Sequence, residues 1–292
     1  MPCRRGLLLA GGTGSRLHPL TMSTNKHLLA VLDQPMIHYP LAALMRLGIR
    51  EIALLTTPRD ARIFADQLGD GSQWGLELEI LVQDKPRGIA DAYRVAARYL
   101  RGGPSCLVLG DNLLYGHGWD ACASQLHRFE YGAGIFGYPV ADARDFGIAY
   151  LNESGEIMAL VEKPESAEGA LAIPGFYFCD GTAPDRVAEL HPSARGELEI
   201  IDLLNSYLTQ KQLRLCPLPP SDIWIDMGTV ARIQSAARSI AAVQRQSGKR
   251  MACLEEIALE QNWISISALA KHASWTAESE YGEYVRKLAD RH

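Results

Sequence analysis

The stretch Leu7-Leu8-Leu9-Ala10-Gly11-Gly12-Thr13-Gly14-Ser15-Arg16-Leu17 decides how the rest of the chain reads. An apolar run passes directly into a loop that holds three glycines and ends on an arginine. The run lacks polar and apolar alternation, as a parallel strand does when helices cover both its faces. The glycines let the backbone approach a ligand and aim its N–H groups at phosphate, and Arg16 can add a planar cationic fork. A glycine-rich turn without a ligand is the plain alternative for this segment alone. Two familiar phosphate loops are excluded, because neither GxGxxG in register nor a Gly-Lys-Ser/Thr ending is present. Arg4 and Arg5 before the apolar run imitate a signal peptide, but Gly11-Gly12 ends the run too early for one.

Outward from that stretch, short apolar runs alternate with helical patterns. Strands are expected at Arg5–Leu9, Glu51–Thr56, Leu76–Val82 and Ser105–Leu109, with helices over Met36–Arg46, Arg59–Leu68 and Ile89–Leu100. Alternation of this kind implies βαβ units, a parallel sheet and right-handed crossovers. Beyond Gly132 come strand-like runs at Ala133–Val140, Gly147–Leu151, Ile157–Glu162 and Ile173–Phe178, separated by turn residues such as Asn152-Glu153-Ser154-Gly155. Helices follow at Thr182–Leu190 and Leu198–Gln210, then strands at Leu213–Cys216 and Ile223–Asp226. From Thr229 the pattern is helical to the end, with Ile233, Ala237, Ile240 and Ala241 at helix spacing. The expected fold class is α/β: a Rossmann-like, mostly parallel twisted sheet flanked by helices, with antiparallel additions and a helical C-terminal region. The expected division is an α/β domain over 1–249 and a helical region over 250–292, an interface or regulatory element.

Composition narrows the function. The 292 residues carry a formal net charge of -5, which argues against general nucleic-acid binding. An anionic substrate then requires a local cluster of donors and a cation. No run approaches the roughly 18 apolar residues of a membrane span, and the cytoplasm is the expected compartment. The six cysteines form no CxxC pair and lie mostly in apolar stretches, so buried free thiols are expected. The eight histidines show no HxxxH spacing, which disfavours a structural zinc site.

Several residues can carry chemistry. Lys26 lies ten residues after Arg16, close enough to the glycine loop for a second phosphate contact. Asp111 follows the apolar run Val108-Leu109-Gly110, which should place its carboxylate at a strand's carboxyl end, where open α/β sheets bind ligands. Asp226 similarly follows Trp224-Ile225 and precedes Gly228. Each aspartate alone could equally be a helix cap; together at that edge they would suit Mg²⁺, which takes oxygen ligands and often uses one or two carboxylates plus phosphate oxygens.

These residues fall in one longer pattern: Gly11-Gly12, Gly14, Arg16-Leu17, Pro19, Thr21, Lys26, Leu28-Leu29, Val31 and Pro35-Met36. That pattern resembles the signature of nucleoside-diphosphate-sugar pyrophosphorylases, and within them the thymidylyl-transferring branch. The resemblance runs nearly end to end, through Leu68–Leu76, Val108–Asn112, Glu162-Lys163-Pro164, Arg195–Ile200, Trp224–Thr229 and Cys253–Ala258. It implies catalytic roles for Arg16, Lys26, Asp111, Lys163 and Asp226, with Asp111 and Asp226 as the Mg²⁺ pair. It places the nucleotide against Leu9, Gly11, Gly12, Thr13, Gly14, Ser15, Arg16, Lys26, His27, Gln83, Pro86, Gly88 and Asp111, with Gln83 and Gly88 at positions that read the thymine. Asn112, Gly147, Glu162, Lys163, Gly175 and Glu197 are implied at the sugar phosphate. Tyr115, Gly116, His117, Cys253, Glu256 and Ile257 match segments that border a regulatory site near a subunit interface, which implies a homotetramer. The implied reaction condenses dTTP with glucose 1-phosphate. A sugar phosphate is largely dianionic near neutral pH (second pKa about 6), so it needs no general base, consistent with a cation-rich constellation that holds no Ser/His/Asp arrangement.

The chain departs from that pattern at four places. His27 stands where glutamine is usual beside the nucleotide, Ala30 replaces a proline, Pro174 replaces a small polar residue before Gly175, and Met227 replaces threonine. They cluster around the ligands, so the same chemistry with UTP or an amino-sugar phosphate is the nearest alternative. A nucleotide-sugar sensor without turnover is disfavoured by retention of all five catalytic matches. A dinucleotide oxidoreductase is disfavoured by its missing glycine fingerprint.

Overall fold

The computed structural model describes residues 3–85, 87–128, 131–165, 170–273 and 278–290. The strands are β1 (Arg5–Leu9), β2 (Ala30–Val31), β3 (Gln34–Pro35), β4 (Glu51–Thr56), β5 (Glu77–Val82), β6 (Ser105–Leu109) and β7 (Asn112–Tyr115). They continue with β8 (Ala133–Pro139), β9 (Gly147–Leu151), β10 (Ile157–Glu162), β11 (Ala170–Ala172), β12 (Phe176–Cys179), β13 (Leu213–Pro217) and β14 (Ile223–Asp226). The helices are α1 (His38–Arg46), α2 (Ala61–Leu68), α3 (Asp91–Val95), α4 (Ala97–Leu100), α5 (His117–His127) and α6 (Ala183–Ala188). They end with α7 (Ile200–Thr209), α8 (Val230–Ser247), α9 (Leu254–Glu260), α10 (Ile266–Ala273) and α11 (Glu280–Asp290).

The unbroken apolar run of β1 sits mid-sheet because neither of its faces meets water. Leu8, with Ile52 and Leu54 of β4 and Val108 of β6, enters one hydrophobic layer; Leu7, with Ala53, Leu55 and Leu107, enters the other. Leu7 and Leu8 have no exposed surface, so truncating either to Ala should cost about 2–5 kcal/mol. The main sheet runs β10-β9-β11-β8-β12-β6-β1-β4-β5, with β13 beside β8. β6, β1, β4 and β5 are mutually parallel, and the remaining neighbours are antiparallel except β13 with β8. The chain moves outward from β1 through β4 to β5, then returns to β6 on the other side of β1. The strand order therefore reverses between β1 and β6, the topological switch point at which open α/β sheets bind ligands.

Four expectations need correction. The strand expected over Ile173–Phe178 starts only at Phe176, because Pro174 has no N–H to donate and the Gly175 N–H turns to the Asn112 side chain. The helix expected over Ile89–Leu100 is two short helices that break at Ala96. α5 was not anticipated, since Gly116 and Gly118 mask its start; the Asp222 carboxylate caps it by accepting from the N–H groups of Gly118 and Trp119. The thiols are not all free. Cys122 on α5 and Cys216 on β13 form a disulfide, while Cys3, Cys106, Cys179 and Cys253 are buried thiols. Parallel pairing of β13 with β8 brings Cys216 beneath α5, which is invisible from spacing.

Among the described residues no helix is long and apolar enough to cross a membrane. α9 packs on α1, and Leu254, Ile257 and Ala258 join the same core as Leu8. A smaller cluster of Cys253, Leu269, Val285 and Leu288 holds the last helices together.

Candidate active site

Three segments meet at the carboxyl ends of β1 and β6. The loop after β1 carries Gly11 to Arg16, the turn after β6 carries Gly110-Asp111, and β14 ends on Asp226. Gly110 is needed there: a Cβ would lie 2.9 Å from the Leu9 carbonyl and 2.7 Å from the His27 ring. The Gly110 N–H donates to the Leu9 carbonyl (2.9 Å) and the Met227 N–H to the Asp111 carbonyl (2.8 Å), so both aspartates are held by main-chain bonds. β14 pairs with β7 in a register that sets Asp226 opposite Asn112.

In the glycine loop, Gly12 and Gly14 adopt positive φ (92° and 62°), a conformation that costs glycine least. The Thr21 hydroxyl donates to the Gly14 carbonyl at 2.7 Å and pins the turn. Among the described residues the N–H groups from Gly11 to Gly14 donate to no protein acceptor, which leaves them available to phosphate. Thr13, Ser15 and Arg16 are exposed or nearly so.

The charged centre is compact. Lys26 Nζ donates to Asp111 Oδ2 at 2.5 Å, with both side chains mostly buried. Burial alone would raise the Asp111 carboxyl, but Lys26, His27 and the Asn112 amide outweigh it and hold it below the ordinary range. Asp226 goes the other way: burial and then the Asp111 charge push it up, and Arg232, Lys26 and Arg16 offset this only partly. Arg232 Nη1 donates to Asp226 at 3.0 Å, and its Nη2 reaches Asp145 at 2.6 Å. Gly228 makes room for Arg16, since a Cβ there would sit 2.8 Å from Arg16 Nη2 and 3.0 Å from Asp226 Oδ1. A buried carboxylate and a half-buried one that repel each other, with oxygen donors only, fit a hard cation that fills its remaining positions with phosphate oxygens and water. No group of three or more His, Cys, Asp or Glu side chains gathers for a metal among the described residues.

Beside this centre lies a pocket of about 260 Å³, lined by Leu9, Gly11, Gly12, Lys26, His27, Gln83, Gly88, Ile89, Leu109, Asp111 and Glu197. Nine of these match positions expected to bind nucleotide or sugar. Pro86 lies outside the described residues. The Gln83 amide N–H donates to Asp91 Oδ2 at 2.6 Å, and its Oε1 lies toward Gly11. Gly88 (φ 97°) presses on the Leu198 backbone, where a Cβ would meet the carbonyl at 2.3 Å. His27 is buried and neutral: burial and then Lys26 drop its imidazole to about 3. Its Nδ1 lies 2.7 Å from Asn25 Oδ1. Asn25 spends both amide N–H groups on the Ala10 carbonyl and Asp60, so its oxygen must accept and His27 Nδ1 must carry the proton.

The sugar-side matches form a second group. Arg195 Nη2 gathers Glu162 (3.3 Å), Glu197 (3.9 Å) and Glu199 (2.8 Å), and Lys163 Nζ lies 3.5 Å from Glu162. Lys163 has φ 48° and its N–H donates to the Phe146 carbonyl at 2.9 Å. Asn112 is buried and acts on its neighbours: its amide donates to Asp111 (3.1 Å), and its oxygen accepts from Gly175 N–H (3.3 Å) and Trp224 Nε1 (2.7 Å). Gly147 and Gly175 are also demanded by protein packing, since a Cβ would lie 2.6 Å from Ile201 and from Leu109 respectively. Arg195, Arg232, Asn25, Asp60 and Asp91 were not singled out from sequence. Arg195 lies within the Arg195–Ile200 segment and Asn25 directly precedes Lys26, while Arg232, Asp60 and Asp91 carry no motif.

The segments matched to a regulatory site are brought only partly together. Tyr115 and Gly116 line a small cavity with Arg46, Met251 and Ala252, while His117 is exposed. Cys253 and Ile257 are buried, and Glu256 accepts from the Tyr284 hydroxyl at 2.7 Å. Gly116 has its own structural reason, because a Cβ would strike the Asp222 carboxylate that caps α5.

The family model described as nucleotidyl transferase matches residues 5–243, a span that holds every residue of the charged centre. The chain belongs to that family. A glucose-1-phosphate thymidylyltransferase of Xanthomonas campestris pv. campestris is 43% identical over 291 residues, 100% of this chain and 99% of the relative. One from Mycobacterium tuberculosis is 39% identical over 98% of this chain and 99% of its own length. A crystal structure assigned as a glucose-1-phosphate thymidylyltransferase from Bacillus anthracis, in complex with sucrose, superposes with a TM-score of 0.75. It is 34% identical, over 80% of this chain and 94% of that one. A UDP-glucose pyrophosphorylase complexed with UDP-glucose shares the fold at 20% identity, with a TM-score of 0.71 over 82% of this nucleotidyl transferase and 99% of that chain.

Proposed function

We propose that this nucleotidyl transferase condenses dTTP with α-D-glucose 1-phosphate to give dTDP-glucose and pyrophosphate. The observation that carries this reading is the convergence of Arg16, Lys26, Asp111 and Asp226 beside a pocket that Gln83 and Gly88 also line. A phosphate oxygen of the sugar phosphate attacks the α-phosphorus, a new O–P bond forms, and the bond to the β-phosphate oxygen breaks with its electron pair leaving on pyrophosphate. The protein has no proton to remove from so acidic a nucleophile; its work is to align two anions and neutralise charge. The glycine-loop N–H groups and Arg16 would hold the β- and γ-phosphates, Lys26 the α-phosphate, and Lys163 the sugar phosphate. Glu162 and Glu197, organised by Arg195, would accept from sugar hydroxyls. Asp111 and Asp226 would hold Mg²⁺, which when bound supplies charge neutralisation at the triphosphate. The cavity beside Tyr115, Met251 and Ala252 supports a regulatory site at the junction of the nucleotide-binding part (1–249) with the C-terminal helices (250–292), and a homotetramer is part of the same proposal.

A second reading keeps the reaction and changes a substrate. His27 and Pro174 favour it, because each alters a hydrogen-bonding group beside a ligand. Incubation of the purified protein with Mg²⁺ and a matrix of nucleoside triphosphates and sugar 1-phosphates, scored by product mass, decides between them. The dTTP and glucose 1-phosphate pair should give the highest kcat/KM. A wide preference for UTP or an amino-sugar phosphate would replace the substrates, and no sugar nucleotide from any pair would refute the reaction.

A further inference from the structure

On the reading that the pocket takes a pyrimidine nucleotide, what reads the base is the Gln83 amide, and an amide can be turned over. Thymine and uracil present an N3–H donor beside the O4 acceptor; cytosine presents the opposite pair, an N3 acceptor beside an N4–H donor. A freely turning Gln side chain satisfies either. In this structure it does not turn freely. Its Nε2 donates to Asp91 Oδ2 at 2.6 Å, and Asp91 is wholly buried at the start of α3. Turning the amide over would set its oxygen against a buried carboxylate, with both groups acceptors and neither solvated. The orientation seen sends Oε1 toward Gly11 and the pocket and keeps one Nε2 hydrogen for O4. Arg94 Nε donates to the other Asp91 oxygen at 2.6 Å, which compensates the buried charge and leaves Oδ2 to Gln83.

We propose that Asp91 is a specificity-determining positioning residue: it locks the Gln83 amide in the one orientation that accepts from N3–H, and so excludes cytosine nucleotides. Asp91 does not line the pocket and acts only through Gln83. The lock does not separate dTTP from UTP, whose pairing edges are identical.

The test compares kcat/KM for dTTP and dCTP, with glucose 1-phosphate and Mg²⁺, in wild type, Asp91→Asn and Arg94→Lys. Wild type should prefer dTTP by roughly 100-fold or more, as sites built around a specific hydrogen bond do. In Asp91→Asn the new amide can offer Gln83 either an oxygen or an N–H group. The preference should then fall below roughly 10-fold, chiefly through a lower KM for dCTP, while kcat for dTTP changes by less than about threefold. Arg94→Lys keeps a cation beside Asp91, and so keeps Gln83 held, and should keep the wild-type preference. An unchanged preference in folded Asp91→Asn, or an equal fall in Arg94→Lys, would overturn the proposal. Calorimetric titration of wild type with dTTP and dCTP needs no variant to fold: tighter dTTP binding by at least about 10-fold supports the lock, and equal affinities overturn it. Wild type that makes sugar nucleotide but fails these comparisons refutes the lock alone. Wild type that makes no sugar nucleotide from any triphosphate refutes the reaction and the lock with it.

Discussion

Gly228→Ala should separate activity from stability sharply. The added Cβ would stand 2.8 Å from Arg16 Nη2, 3.2 Å from Arg16 Cζ and 3.0 Å from Asp226 Oδ1. Ordinary contact needs about 3.5–4.0 Å, so the guanidinium must retreat by roughly 1 Å. Arg16 is an exposed side chain with a flexible stem, and the fold should lose little, under about 1 kcal/mol. A catalytic group displaced by about 1 Å can cost roughly 100-fold in rate, close to 2.7 kcal/mol of transition-state stabilisation. The assay is pyrophosphate release at saturating and limiting dTTP, beside a thermal melt of the same preparation. A kcat/KM lower by roughly 100-fold with a Tm within about 2 °C of wild type is expected. Full activity, or a melting loss large enough to explain the missing activity, would refute the placement of Arg16 against Asp226.

Other outcomes follow from the same geometry. Gly88→Ala should fail differently, losing several kcal/mol of stability because its Cβ meets Leu198 backbone at a positive φ; a melt within 2 °C of wild type, about the scatter of neutral changes, would contradict that contact. Asp226 is held above the ordinary carboxylate range by burial and Asp111, so a carboxyl chemical-shift titration of the metal-free protein should give it a midpoint well above the roughly 4 of a free carboxylate, and a midpoint at about 4 or below would refute that crowding. His27 and His38 are lowered, mainly by burial, to about 3 and about 4; the folded protein therefore binds fewer protons than the unfolded chain below pH 6.5, and stability should drop as pH falls through that window. A Tm flat from pH 6.5 to about 4.5 would show those rings to be solvated. Denatured without reductant, the protein should release four thiols of its six cysteines, and six would exclude the Cys122–Cys216 bond.

Much of the frame was legible because it rests on local signals. The apolar run of β1, the glycines after it and the apolar approach to Asp111 each follow from strand and turn chemistry within a dozen residues. What escaped depends on long-range contact. Asp91 reads as an ordinary acid in the first turn of a helix, and only the packing of α3 beneath Gln83 makes it a buried partner. Asn25 and Asp60 are 35 residues apart and meet because the loops after β1 and β4 share one sheet edge. The disulfide spans 94 residues and needs the parallel return of β13 to β8. Gly147, Gly175 and Gly116 were visible as glycines, yet packing against Ile201, Leu109 and Asp222 gives each a reason besides any ligand. Asn112, matched to the sugar phosphate, is committed to Asp111, Gly175 and Trp224.

The fate of isotope tests the central claim most directly. Glucose 1-phosphate carrying ¹⁸O in its phosphate oxygens is mixed with dTTP, Mg²⁺ and the purified protein, and the products are weighed by mass spectrometry. Attack on the α-phosphorus predicts that all label stays in dTDP-glucose, with one unlabelled pyrophosphate released for each sugar nucleotide formed. Label in pyrophosphate, release of orthophosphate in its place, or no sugar nucleotide at all would contradict the reaction assigned to this site.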